Sequence, residues 1–299
     1  MFQGPIFDRV DAVLSGVPAY AAFRKGRLDA AGFAGLLETH RDALVEGGVP
    51  GEDVDYAKRY PADRVGFIDE ALRRLRANGV LPDVVWDPGM LAMADDRQAR
   101  FFHGGRSTYI YPEESGLLAA IAALIRPRRV AVLGSYYGYW AAAVVPFLEA
   151  GGRVTLVDPD PACCALAETN FTAEISAGAL EVACRTGQAL MDEAYGPFDL
   201  LLMDAELPRD HPDPTLRGKG VYAALLQAAL PRLTPDAVLV CHNILLEDPI
   251  GCSVFGPIIA RNQCELAPFK ALVQQHFPNW TELASTEGVG VGRRTDPAL

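Results

Sequence analysis

The apolar positions change rhythm about a third of the way along the chain. As far as about residue 95 they recur at spacings of three and four, as one buried face of a helix requires. FDRVDAVLSGV, DAAGFAGLLETHRDALVEGG and PADRVGFIDEALRRLRANG each follow that pattern. The last two carry acids near their starts and glycine at their ends, in keeping with helix polarity. DVVWDPGML and ARFFHGGRSTYIYPEES read as irregular connections. From about Glu114 the pattern alternates. ESGLLAAIAALI, GYWAAAVVPFLEAG, PACCALAETNFTAE, GVYAALLQAALPRL and ELAPFKALVQQHF read as helices. RVAVLG, RVTLVD, LEVACRTG, FDLLLMDAE and AVLVCHNILLE read as strands.

Strands apolar on both faces and separated by helices predict a mainly parallel sheet covered on both sides. WTELAST and VGVGRR close the pattern as two adjacent strands, an antiparallel edge. The expected fold is therefore α/β: a Rossmann-like, doubly wound, mostly parallel seven-stranded sheet preceded by a helical region. The division falls at residues 1–106 for the helical region, read as a lid or a dimer contact, and 107–299 for the sheet domain.

Composition narrows the function classes. A net charge of −11 repels nucleic acid phosphates unless a basic patch is segregated, and the runs ALRRLRANG and LIRPRRV are short. Nucleic acid is not expected as a partner. No apolar run approaches the roughly 20 residues that span a bilayer, and MFQGPIFDRVDAV lacks a basic start followed by a long apolar core. The expected setting is cytoplasmic, with no membrane partner. The six cysteines, Cys163, Cys164, Cys184, Cys241, Cys252 and Cys264, form no C-x-x-C pair and read as small apolar core residues.

Ligands of doubly wound sheets sit beyond the carboxyl ends of the strands. LGSYYGYW follows the first strand, Asp158 ends the second, TGQAL follows the third, MDAE ends the fourth and CHN the fifth. Gly134 and Gly138 permit a tight turn and a close backbone approach. Asp158 suits the two hydroxyls of an adenosine ribose. Tyr136 stands where a G-x-G-x-x-G loop has its second glycine, which works against a diphosphate. A sulfonium cofactor has no phosphate, and aromatic rings attract its charge. Asp158 and Asp204 could instead be plain helix caps, and His211, in ELPRDHPDPTLRGKG, reads as part of a surface loop. His103 lies beside a pair of glycines, in a lid or a linker.

VLGSYYGYWAAAVVPFLEAGGRVTLVDPDPACCALAETNF resembles the cofactor site of class I S-adenosylmethionine-dependent methyltransferases, in particular the catechol and caffeoyl-CoA O-methyltransferase-like family. MDAE resembles that family's DADK and HNILL its DNVLW. STYIYPEESGLLAAI resembles its entry segment over the methionine part of the cofactor. The resemblance runs from about Ser107 to Arg294. It implies Gly134, Ser135, Tyr136 and Gly138 around the methionine end, Tyr111 among the cofactor contacts, Asp158 on the ribose, Gln188 near adenine, and Asp204 between cofactor and substrate. It also implies Asp204, His242 and Asn243 at the family's divalent-metal ligands.

Three positions depart from the family. Val132 replaces a glutamate, Trp140 a small residue, and His242 an acid. Imidazole in place of a carboxylate weakens a magnesium site, though a softer metal tolerates it. Three readings of His242 stay open: a metal ligand, a neutral general base acting without metal, preferred over the ligand, or a hydrogen-bonded structural histidine. The expected activity is methyl transfer from S-adenosylmethionine to a small molecule, O-methylation in specialised metabolism, with His242 and Asp204 catalytic and a homodimer left open. The alternatives are a non-methylating use of the cofactor, by aminocarboxypropyl transfer or cyclisation to azetidine-2-carboxylate with release of methylthioadenosine, and a non-catalytic binding protein on the same fold.

Overall fold

The computed structural model describes residues 5–25, 27–28, 30–61, 63–193, 196–247 and 255–295. Seven strands form one sheet in the order β3-β2-β1-β4-β5-β7-β6. They are β1 (Arg129–Leu133), β2 (Arg153–Asp158), β3 (Leu180–Cys184), β4 (Phe198–Met203), β5 (Leu233–His242), β6 (Thr281–Leu283) and β7 (Val289–Arg293). The first five pair in parallel. β7 runs antiparallel to β5 and to β6. The expected sheet, with its antiparallel edge, is the observed one.

Successive residues of the central strands feed opposite cores, because side chains alternate across a sheet. Val130, Val132, Leu200, Leu202, Val238 and Val240 face one cluster. Ala131, Leu133, Leu201, Met203, Leu239 and Cys241 face the other. Burying each such aliphatic side chain contributes about 1.5–3 kcal/mol. One face is covered by α6 (Arg64–Ala77), α7 (Leu91–Ala99) and α8 (Pro112–Ile125). On the other lie α11 (Gly187–Asp192), α12 (Val221–Ala229) and α14 (Ala267–His276).

The helical region begins with α1 (Pro5–Leu14), α2 (Pro18–Phe23), α3 (Ala30–Thr39), α4 (Arg41–Glu46) and α5 (Gly51–Ala57). These helices enclose a third core of their own, with Phe23 and Phe33 stacked at 3.5 Å. α6 and α7 share the core of the sheet.

Local chemistry accounts for the differences in the helices. GYWAAAVVPFLEAG forms two short 3₁₀ turns, Ala141–Ala143 and Val145–Phe147, rather than a helix. Pro146 has no N–H to give and its ring crowds the preceding turn. DAAGFAGLLETHRDALVEGG divides at His40, and PACCALAETNFTAE at Phe171, into α9 (Pro161–Asn170) and α10 (Thr172–Ser176). α2, α5, α7 and α13 (Gly256–Glu265) fall on segments whose periodicity was too short or too polar to register. Cys163, Cys164 and Cys241 are buried thiols, whereas Cys184 and Cys264 are exposed, so the core reading fails for these two. Cys252 lies outside the described residues.

Candidate active site

A cleft of about 850 Å³ opens at the carboxyl ends of the parallel strands, a size that suits a nucleoside-sized ligand. The turn after β1 forms its floor. The backbone N–H groups of Gly134 and Ser135 both donate to the Val157 carbonyl, each at 3.0 Å. Gly134 has φ +74°, and a Cβ there would collide with the Asp204 carbonyl oxygen. Only glycine allows the first and fourth strands to end so close together. Tyr136 follows at φ 51°, a left-handed conformation that costs a side-chain-bearing residue energy. Its N–H donates to Asp158 Oδ2 at 2.9 Å. The Asp160 N–H donates to Asp158 Oδ1 at 3.0 Å. Each oxygen of Asp158 thus keeps a lone-pair direction for the cleft. Burial pushes the pKa of this carboxyl up, against the two backbone donors.

The Tyr136 ring stands at the rim, 38% exposed. Arg106 lies over it, 5.4 Å from guanidinium to ring centre. Residues 107–110 form the wall above, and Gln188 faces the cleft beyond β3.

The polar end of the cleft lies between β4 and β5. His242, 1% exposed, ends β5 and faces two carboxyl groups. Its Nδ1 lies 3.2 Å from Asp204 Oδ2 and its Nε2 2.8 Å from Glu114 Oε2. Burial alone would lower the pKa of His242. The charges and hydrogen bonds of Glu114 and Asp204 outweigh it and push the pKa up to about 10. Burial likewise opposes the charged form of Asp204, but His242 and then Lys219 hold its carboxyl below the usual range. Lys219 Nζ lies 3.9 Å from Asp204 Oδ1 and 3.5 Å from Glu206 Oε2, and the residue is only 2% exposed.

Glu114 is enclosed by donors. The Tyr111 N–H reaches its Oε2 at 3.0 Å. The Ser285 hydroxyl and the Glu287 N–H reach its Oε1, both at 2.7 Å. Glu113 and Glu287, also buried, have pKa values raised to about 8, by burial first and by the charge of Glu114 second.

Residues 131–244 match the family model of a methyltransferase domain. The chain is 26% identical over 205 residues to a catechol O-methyltransferase of Niastella koreensis, covering 67% of this chain and 76% of that protein. A methyltransferase of Podospora anserina, solved with S-adenosylhomocysteine bound, has the same fold. Its TM-score is 0.51 at 16% identity, over 76% of this chain and 96% of that one. The chain carries a methyltransferase domain.

The methyltransferase brings most of the expected residues to one cleft. Gly134, Tyr136, Asp158, Gln188, Asp204, His242 and Asn243 all line it. Three others stand behind it. Gly138 supports the turn, donating to the Ser135 carbonyl at 2.8 Å. Ser135 is 7% exposed, and its hydroxyl has no partner among the described residues. Tyr111 points into the core of α1–α5, 3% exposed, beside Tyr56. Its place just before α8 turns the ring away from the cleft and leaves its N–H on Glu114.

The general-base reading of His242 meets a carboxyl group at each ring nitrogen. With a carboxylate on each ring nitrogen, both nitrogens carry protons, and neither has a lone pair to offer. The same holds for metal ligation, which needs a neutral imidazole nitrogen. Among the described residues no group of three or more His, Cys, Asp and Glu side chains is arranged to hold a metal ion. An imidazole protonated on both nitrogens does not fit the divalent cation that the family resemblance implies.

Sequence reasoning missed Glu114, Glu287 and Lys219. Glu114 looks like an ordinary acid in the first turn of a helix. Its role depends on a partner 128 positions away. Lys219 sits between two glycines in a loop that read as surface. The acid-to-histidine change at His242 and the bulky Trp140 were the local signals. The two rings turn out to be neighbours, 5.1 Å apart between centroids.

Proposed function

We propose that this methyltransferase moves the methyl group of S-adenosylmethionine onto a hydroxyl oxygen of a small molecule. The observation that carries this reading is a single cleft with Asp158 at one end and Asp204 at the other, in a chain related to a catechol O-methyltransferase. Asp158 takes the ribose hydroxyls on its free lone pairs. Gln188 lies at the adenine end. The turn from Gly134 to Tyr136 runs along the methionine chain. The acceptor hydroxyl lies against Asp204, with Asn243 beside it.

The acceptor oxygen attacks the methyl carbon in line. The O–C bond forms as the C–S bond breaks, and neutral S-adenosylhomocysteine leaves. A hydroxyl that has received a methyl group is a strong acid. A carboxylate with a depressed pKa is then basic enough to take its proton, so Asp204 suffices without a stronger base. Most of the acceleration comes from alignment. No helix among the described residues is long and apolar enough to cross a membrane, and the substrate is expected from solution.

The test is incubation of the purified protein with S-adenosylmethionine and a panel of phenolic and alcoholic acceptors, followed by mass spectrometry. S-adenosylhomocysteine together with a methylated acceptor supports the reading. Methylthioadenosine formed without an acceptor sinks it.

A further inference from the structure

We infer that His242, clamped between Glu114 and Asp204 and backed by Trp140, is a fixed internal cation in the place where related enzymes are expected to hold a divalent metal. The inference starts from the mismatch between the donor set and a metal ion, and it concerns this chain's own residues.

Four observations carry it. Both ring nitrogens of His242 lie within hydrogen-bond distance of carboxylate oxygens, at 3.2 and 2.8 Å. Two acceptors on one imidazole require two N–H groups, and an imidazole with two N–H groups is positive. The ring cannot swing to another partner, because Glu114 is itself fixed by Tyr111, Ser285 and Glu287. The backbone is fixed too, since the Tyr222 hydroxyl donates to the His242 carbonyl at 2.7 Å. Third, the indole of Trp140, 4% exposed, lies beside the imidazole, 5.1 Å between ring centroids and tilted by 51°, and closes that side of the ring. A small residue at that position would leave this side of the ring without the indole. Fourth, Lys219 brings a second positive group to the other oxygen of Asp204. Asp204 is thus held from both sides by protein cations, as a metal would otherwise hold it.

Glu114 is accordingly a positioning residue. It touches neither cofactor nor acceptor and acts through His242. The inference rests on the methyltransferase reading only for what fills the cleft.

The test uses the full chain labelled with ¹⁵N in its histidines and treated with a chelator. His242→Gln assigns the ring signals. At neutral pH both nitrogens of His242 are expected in the protonated range, unchanged when magnesium, manganese or zinc is added. Calorimetry is expected to show no divalent binding that depends on Asp204. In Glu114→Gln the pH at which the ring loses a proton is expected to fall by about one unit or more, while affinity for S-adenosylhomocysteine stays within about threefold. A His242 nitrogen with a free lone pair at neutral pH overturns the inference. So does divalent binding that Asp204→Asn abolishes. Should Glu114→Gln not fold, the ring signals and metal titrations of the unsubstituted protein decide alone. Failure to bind S-adenosylmethionine or its demethylated product would instead remove the functional reading, and calorimetry reads that separately.

Discussion

The two acids of the cleft are neighbours in function and opposites in environment. Asp158 is held by two backbone N–H groups and keeps lone pairs facing the open cleft. Asp204 spends one oxygen on an imidazole and has an ammonium near the other. In the proposed reading the first is the binding group for a ligand's hydroxyls. The second belongs to a network of charges answered within the protein, with its outer edge left for the substrate. The difference lies in how many partners come from the ligand and how many from the chain.

The largest effect is expected where both ends share a support. Gly134→Ala forces a side chain against the Asp204 carbonyl at positive φ. It should weaken S-adenosylhomocysteine binding about a hundredfold or more and lower the melting temperature together; calorimetry and thermal unfolding check both. Next comes Asp204→Asn, which should lower kcat about a hundredfold and leave cofactor affinity within about threefold. An equal loss in affinity would erase the distinction drawn above. Asp158→Ala should do the reverse. It should weaken cofactor binding about 30-fold, some 2 kcal/mol for lost hydrogen bonds to a charged group, and leave kcat at saturation nearly intact.

A separate expected effect is on pH. Glu113 and Glu287 hold their protons to about pH 8 when folded, and His242 to about pH 10. In the unfolded chain the same groups lose them near their ordinary values of 4.5 and 6.5. The folded state therefore binds more protons across this window, and stability falls as pH rises through it. Each retained proton contributes about 1.4 kcal/mol per pH unit. Asp204 acts in the opposite sense, its contribution being lost as pH falls. The melting temperature should peak in mildly acidic buffer, and Glu287→Gln should flatten the alkaline decline. A melting temperature that rises from pH 6 to pH 9 would contradict the buried protons.

The sheet was legible because its evidence is local. Continuous apolar runs such as RVTLVD and FDLLLM can be buried on both faces only in a covered sheet. Asp158, Gly134 and Asp204 were legible because strand ends are where such a sheet keeps its ligands. His242 was found, but its partner Glu114 was not. Protonation depends on neighbours, and the deciding neighbour, Glu114, comes from the start of a helix that periodicity treats as structural. Tyr111 was misplaced for a related reason: the direction of a side chain just ahead of a helix follows from packing on α1–α5, which no pattern within 107–125 records.

The Arg59 guanidinium donates to the carbonyls of Thr286, Ser285 and Glu247, at 2.9, 3.3 and 3.1 Å. The turn it grips is the one that fixes Glu114. An early residue thus closes on a segment more than 220 positions later, around a helix start and a strand end made in between. Synthesis completes the sheet's first strands and Asp158 long before these contacts can form. Glu114 gains the donors of Ser285 and Glu287 only after the last hairpin has begun to be made. In the proposed reading, a nascent chain therefore holds its ribose-binding acid before the clamp around His242 is complete.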